Sequence, residues 1–144
     1  VRGKERIPIG VWCFREQCFF FDRDGKVLEA SLRSSGYLLL AIQDEKHEGE
    51  IPKSISQRYF SVVSAIHTSL SELDMKIREI IIPRDREGEI QAVTSKDSKI
   101  LFSLDAPIGD QVETLRIFLN EKKGDATFHP RQIDLRIQGR VYYK

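Results

Sequence analysis

Only two stretches of this chain carry a helical stripe, and its other apolar residues come in strand-length runs cut by turn residues. From Ser54 or Ser56, either of which can cap a helix, apolar side chains recur at Tyr59, Phe60, Val63, Ile66, Leu70 and Leu73. That spacing predicts one broad face on a helix of about five turns. Gly109-Asp110 opens a second helix, with Val112, Leu115, Ile117, Phe118 and Leu119 as its mainly apolar side and Lys122-Lys123-Gly124 as its stop. Around these helices, extended backbone is expected over Ile7–Phe14, Cys18–Asp22, Lys26–Ala30, Tyr37–Ile42, Met75–Ile82, Glu89–Thr94, Lys99–Leu104, Gln132–Ile137 and Gly139–Tyr143. Arg23-Asp24-Gly25, Gln43–Pro52, Arg84–Gly88 and Lys96-Asp97 read as the turns and loops between them. Strands linked by hairpins, with two helices among them, predict an α+β fold. Its expected form is a twisted, mostly antiparallel sheet with both helices packed on one face. A doubly wound parallel sheet would need helices between most strands.

The 144 residues fit one domain, 1–144, and the charges nearly cancel, 23 Lys+Arg against 22 Asp+Glu. Such a balance excludes nucleic-acid binding by bulk charge, because phosphate neutralisation needs a basic excess. It also excludes a polybasic membrane-surface module. No apolar run approaches the roughly 20 residues of a membrane span. The charged start, Val1 to Arg6, has no signal-peptide character, and Val1 is not an initiator Met, so the chain reads as a piece of a longer protein.

Cys13 and Cys18 bracket Phe14-Arg15-Glu16-Gln17. If both flanks are strands, the four residues form a hairpin loop and the sulfurs face each other at its base. Opposed strand residues lie within the Cα separation a disulfide tolerates. A bridge would point to an oxidising compartment. Two free thiols in one hairpin are the alternative. A zinc site would need two more ligands from His47, His67 and His129, which lie singly along the chain.

One local pattern suggests catalysis. Phe19-Phe20-Phe21 empties into Asp22-Arg23-Asp24-Gly25, similar to the first motif of haloacid-dehalogenase phosphohydrolases. There the first Asp attacks phosphorus and the second acts as acid and base. Asp105 and Asp110, after the apolar run Leu101–Leu104, would have to hold Mg²⁺. Asp-Gly is also an ordinary turn, Gly supplying a positive φ and Asp bonding nearby backbone N–H groups. No phosphate-binding glycine loop or Gly-x-Ser-x-Gly accompanies the motif. His67, beside the first helical stripe, reads as a partly buried surface residue, and His129 as a loop residue.

Three stretches, in order, resemble the β domain of the FtsQ/DivIB bacterial cell-division proteins. Glu5-Arg6-Ile7-Pro8-Ile9-Gly10-Val11-Trp12 is similar to the Glu-Arg-x-Pro segment that begins that domain. Phe21-Asp22-Arg23-Asp24-Gly25-Lys26-Val27 is similar to its strand–turn–strand. Ile133-Asp134-Leu135-Arg136, leading to Arg140-Val141-Tyr142-Tyr143-Lys144, resembles its C-terminal signature. The resemblance implies a non-enzymatic divisome scaffold without cofactor. A membrane helix and a POTRA domain would precede it, residues 1–6 being a remnant of the junction. It further implies a place on the extracytoplasmic face of the cytoplasmic membrane at the division septum, and FtsB-like and FtsL-like bitopic proteins as partners. In the family the FtsB tail adds a strand to the edge made by the last strands. The expected partner-binding residues are therefore Arg136, Ile137, Gln138, Arg140, Val141, Tyr142 and Tyr143, with Tyr142 facing outward and Arg136 either meeting an acidic group of the partner or held in an internal ion pair.

The cysteine expectation is tested by mass. Alkylation of the native chain without reductant should add nothing, and reductant should expose two reactive thiols; two thiols alkylated without reductant would exclude the bridge.

Overall fold

Two helix crossovers and five hairpins join the described strands into a single sheet. In the computed structural model, residues 6–31 and 39–144 are described. Val1 to Glu5 and the Tyr37-Leu38 start of one expected strand lie outside them. Strands β1 (Gly10–Phe14), β2 (Gln17–Phe21) and β3 (Val27–Ser31) form an antiparallel meander. β4 (Leu40–Asp44) lies on the other side of β1 and runs parallel to it. Helix α1 (Gln57–Glu72) then returns the chain so that β5 (Ile77–Ile82) pairs parallel with β4. β5, β6 (Glu89–Thr94) and β7 (Lys99–Ser103) are antiparallel neighbours. Helix α2 (Ile108–Glu121) makes the second crossover, placing β8 (Gln132–Asp134) parallel to β7, and β9 (Tyr142–Tyr143) closes antiparallel on β8. The order across the sheet is β3-β2-β1-β4-β5-β6-β7-β8-β9.

The protein is thus α+β with a mainly antiparallel sheet. Among the described strands, three of the eight pairings are parallel and five antiparallel, within the mostly antiparallel sheet expected. Two of the parallel pairings follow from the helices: a helix between adjacent strands carries the chain back along the sheet, so the next strand starts from the same end. Boundaries shift. β4 extends through Gln43 and Asp44, past the loop start expected at Gln43, because Gln43 pairs with both Cys13 and Ile81. Ser56 sits at the N-cap of α1 but makes no side-chain capping bond. α2 begins at Ile108, after Pro107, ahead of the expected Gly109 start.

Alternation along each strand divides the sheet residues into two sets. Trp12, Phe14, Ile42, Ile80, Ile82, Ile90, Ala92, Ile100, Phe102 and Ile133 belong to one core cluster. The same cluster takes in Val63, Ile66 and Leu70 of α1 and Ile108, Val112, Leu115 and Phe118 of α2. Trp12 and Phe21 meet edge to face at 5.7 Å, and Phe21 repeats that geometry with Phe60 of α1 at 6.1 Å. Buried Gln111 ties α2 to the end of β7. Its Oε1 accepts the Ser103 N–H at 2.8 Å, while Nε2 donates to the carbonyls of Ser103 (2.9 Å) and Ala106 (3.1 Å). The alternate residues Val11, Cys13 and Cys18 form a small second cluster with Phe20 and Leu39.

At Gly10, β1 faces β2 and β4 with no room for a side chain. A Cβ there would sit 2.4 Å from the Leu40 carbonyl oxygen and 2.5 Å from the Phe21 ring. Backbone on one side and a buried ring on the other leave no room to yield. Gly10→Ala should therefore destabilise the domain by about 3 kcal/mol, as overpacking of a filled core does; a urea midpoint equal to that of the unsubstituted chain would show that β4 can move aside.

Candidate functional site

The last strand lies at one end of the sheet, and its register shows which of its backbone groups are free. Gln132 and Lys144 exchange both main-chain bonds, N–H to O at 3.2 Å each way, and the Arg131 N–H also reaches the Lys144 oxygen at 2.8 Å. Antiparallel pairs alternate, so the main-chain groups of Tyr142 and Lys144 turn toward β8 while those of Val141 and Tyr143 turn away from it. Among the described residues no strand lies beyond β9. The opposite edge, β3, leads into residues outside the description.

The expected partner-binding residues separate into two groups. Tyr142 and Tyr143 lie on the edge strand, 49% and 48% exposed. Tyr143 turns its ring onto Phe118 of α2, at 5.2 Å between centroids. Tyr142, the alternate residue, points to the other side, where the Arg140 guanidinium approaches its hydroxyl at 3.5 Å. Ile137, Gln138 and Arg140 are not on a strand. The extended runs expected over Gln132–Ile137 and Gly139–Tyr143 shorten to β8 and β9, and the residues between them make a turn closed by the Arg140 N–H donating to the Ile137 carbonyl at 3.0 Å. Gly139, at φ 73°, supplies the left-handed residue that turn requires.

Arg136 is engaged internally, the second of the two arrangements expected for it. Its guanidinium holds Asp134 through Nε (2.9 Å) and Nη2 (2.7 Å) and reaches Glu89 of β6 through Nη1 at 2.6 Å. Glu89 is buried, and Gln91 donates to its second oxygen at 2.6 Å. The Arg136 guanidinium holds the Asp134 carboxyl below the usual carboxylate range against the opposing effect of burial, and Asp134 in turn raises Arg136. This cluster fastens the start of the β8–β9 turn to the centre of the sheet. The sequence signal for Asp134–Arg136 was the signature itself; nothing local pointed to Glu89, 47 residues away.

At the other end of the sheet Cys13 and Cys18 are register partners, and their sulfurs are bonded. The loop is tighter than the four residues expected. Phe14 and Gln17 remain paired in the strands, leaving Arg15-Glu16 as the turn, with Arg15 at φ 63°. Buried Phe14 belongs to the main core, which holds the strand to its last residue.

Asp22, the supposed nucleophile, is 3% exposed and fully occupied. Its Oδ1 accepts the N–H groups of Asp24 (2.9 Å) and Lys26 (3.0 Å), and its Oδ2 takes the Arg6 guanidinium at 2.9 Å. Burial acts to raise its pKa, and these three donors together bring it below the usual value. Arg6 also reaches Asp24 at 3.1 Å. β2 and β7 are five strand spacings apart, roughly 20 Å or more across the sheet, so Asp105 and Asp110 cannot share a cation with Asp22. Among the described residues no three His, Cys, Asp or Glu side chains converge as metal ligands. His67 is half-buried on α1, and burial pushes it down. The His47 ring packs on Phe14 at 4.9 Å, and its Nε2 lies 2.9 Å from the Glu50 carbonyl. A cleft of about 330 Å³ opens beside it, between Trp12, Phe14, Ile55 and Tyr59. Two of its polar groups are paired, Trp12 Nε1 donating to Asp44 at 3.2 Å and Asp44 accepting the Lys46 and His47 N–H groups.

No protein-family model matches the chain, and no curated protein does. Among solved structures it is similar to the major extracytoplasmic domain of the trans isomer of the bacterial cell division protein DivIB from Geobacillus stearothermophilus. The two are 13% identical, the match covers 71% of this chain and 82% of that one, and the TM-score is 0.39. A likeness this distant assigns neither family nor function. No helix among the described residues is long and apolar enough to cross a membrane.

Arg136→Ala leaves Glu89 and Asp134 facing each other without a counter-ion. The loss should be about 2 kcal/mol, below the range for a fully buried pair because the guanidinium is partly solvated. Adding Glu89→Ala to that variant should recover part of the loss in urea unfolding; additive losses would mean the three groups do not act together.

Proposed function

We propose that this domain is a non-enzymatic binding module of the bacterial division machinery, acting outside the cytoplasmic membrane at the septum. In this reading a membrane helix precedes it in the complete protein, and FtsB-type and FtsL-type bitopic proteins are its partners. The FtsB-type tail adds a strand along β9. The observation that carries the reading is the free edge: Val141 and Tyr143 offer main-chain donors and acceptors outward, with two half-exposed tyrosines beside them. An incoming extended peptide satisfies such groups, and its alternate side chains meet the two faces of the sheet edge. Tyr142 supplies broad contact area with a polar tip. The order and spacing of the three family-like stretches support the choice of partner. The Cys13–Cys18 bridge suits an oxidising compartment, since such bonds rarely persist in the cytosol.

The register provides a selective test. Val141→Pro removes an outward donor while Tyr142 and Lys144 keep their bonds to β8. With a synthetic peptide of the extracytoplasmic tail of the FtsB-type protein from the same genome, titration calorimetry should show at least about tenfold weaker binding, since a lost backbone bond leaves a polar group unpaired. The thermal midpoint should stay near that of the unsubstituted chain. Tyr142→Ala should weaken binding by about 1–2 kcal/mol. Unchanged affinity in both variants would remove this edge as the site.

A further inference from the structure

β9 is attached to β8 by little backbone: two register pairs, of which only Asp134–Tyr142 turns the main chain of β9 toward β8, the exchange between Gln132 and Lys144, and the Arg131 N–H on the Lys144 oxygen. Segments with so few bonds lie at the low end of local stability and open readily. A side-chain cluster on the helix side provides a second attachment. Phe118 near the end of α2, Phe128 in the loop that follows, and Tyr143 form a triangle of rings. Their centroids are 5.5 Å apart for Phe118–Phe128, 5.2 Å for Phe118–Tyr143 and 5.6 Å for Phe128–Tyr143. Lys122, the C-cap residue of α2, places its ammonium 5.0 Å from the Tyr143 ring centre, 5.8 Å from Phe118 and 5.9 Å from Phe128. It also donates to the Tyr143 hydroxyl at 3.1 Å. A cation at this end of a helix is favoured by the unpaired carbonyls of the last turn, so Lys122 is drawn to the place where it meets the rings.

We propose that Lys122, with Phe118 and Phe128, is a latch that holds β9 extended and so presents a finished edge to an incoming strand. These are positioning residues, and this role rests on the strand-addition reading given above. A partner strand needs β9 already laid against β8, and its affinity scales with the fraction of molecules in that state. Tyr143 serves both purposes: its ring is gripped from the helix side while its main-chain groups point outward.

Amide hydrogen exchange on the whole chain, without peptide, tests the latch directly. In Lys122→Ala the Gln132 and Lys144 amides should exchange about fivefold faster, the loss of one exposed cation–ring contact. Lys122→Arg, which keeps a cation over the rings, should restore protection, while core amides of β5 and β6 and the thermal midpoint stay unchanged. Equal exchange in the unsubstituted chain and Lys122→Ala would overturn the latch. The same FtsB-type peptide should bind Lys122→Ala about two- to fivefold more weakly, with Lys122→Arg restored; equal affinity would overturn the positioning role. If the unsubstituted chain fails to bind the peptide at all, the strand-addition reading falls, while the exchange measurement still decides whether β9 is latched.

Discussion

Strand alternation, carried from one strand to the next by register, governs what this protein can present. The pairings join Cys18, Cys13, Gln43, Ile81, Gln91, Leu101, Asp134 and Tyr142 into one row across eight strands. The neighbouring residues Trp12, Ile42, Ile80, Ala92, Ile100 and Ile133 belong to the main core. A slip of one residue in any strand would exchange the two sets, moving Ile80 or Trp12 out of the main core and Gln43 or Gln91 into it. The disulfide and the Arg136 cluster lie on the same side of the sheet, one near each end. The first fastens the β1–β2 hairpin and the second fastens the turn into β9. Both tie down the side of the sheet that carries the smaller cluster of Val11, Cys13 and Cys18.

Edges follow from the same constraint. Strands of five and six residues make up the sheet as far as β7, whereas the run toward β9 falls to three residues and then two. Short edge strands limit unwanted pairing between copies, and natural sheets use them in that way. The cost is a strand too short to hold itself, which gives the Lys122 cluster its importance. An edge can then be open to one peptide without being a long template for many.

Much of this architecture was legible in the sequence. The stripe Val63, Ile66, Leu70 marked α1 because its spacing is internal to one segment, and Glu89–Thr94 matched β6 because alternation and flanking turns are local too. Strand partners were less legible. Nothing in β1 says that β4, some thirty residues on, will lie parallel beside it, because that choice is made by core packing over the whole sheet. The end of β8 was missed for a related reason. Leu135-Arg136-Ile137 has an acceptable strand composition, but Arg136 is drawn to Asp134 and Glu89, and Gly139 takes a positive φ. Lys122 read as a helix stop, which is correct, yet its aromatic partners come from three separate places in the chain. A helix terminus is visible locally; a cluster assembled by folding is not.

The Asp22-Arg23-Asp24-Gly25 turn shows how far a catalytic-looking motif can be explained by backbone chemistry alone. A carboxylate that attacks phosphorus needs an unshared oxygen directed at open space. Asp22 instead aims one oxygen at two N–H groups of its own turn and the other at Arg6. Gly25, at φ 79°, lets the chain reverse so that Lys26 can reach back to the carboxylate, and its position against the Phe60 ring sets the turn on α1. Its carbonyl then accepts the Ile55 N–H at 2.7 Å, just ahead of the helix. Each feature that resembled a phosphohydrolase has a structural use: the apolar strand fills the core, the first Asp closes the turn, the second shares Arg6, and the Gly permits the reversal. Arg6 gains by the same arrangement, since two carboxylates on one rigid turn fix the direction in which the chain enters β1.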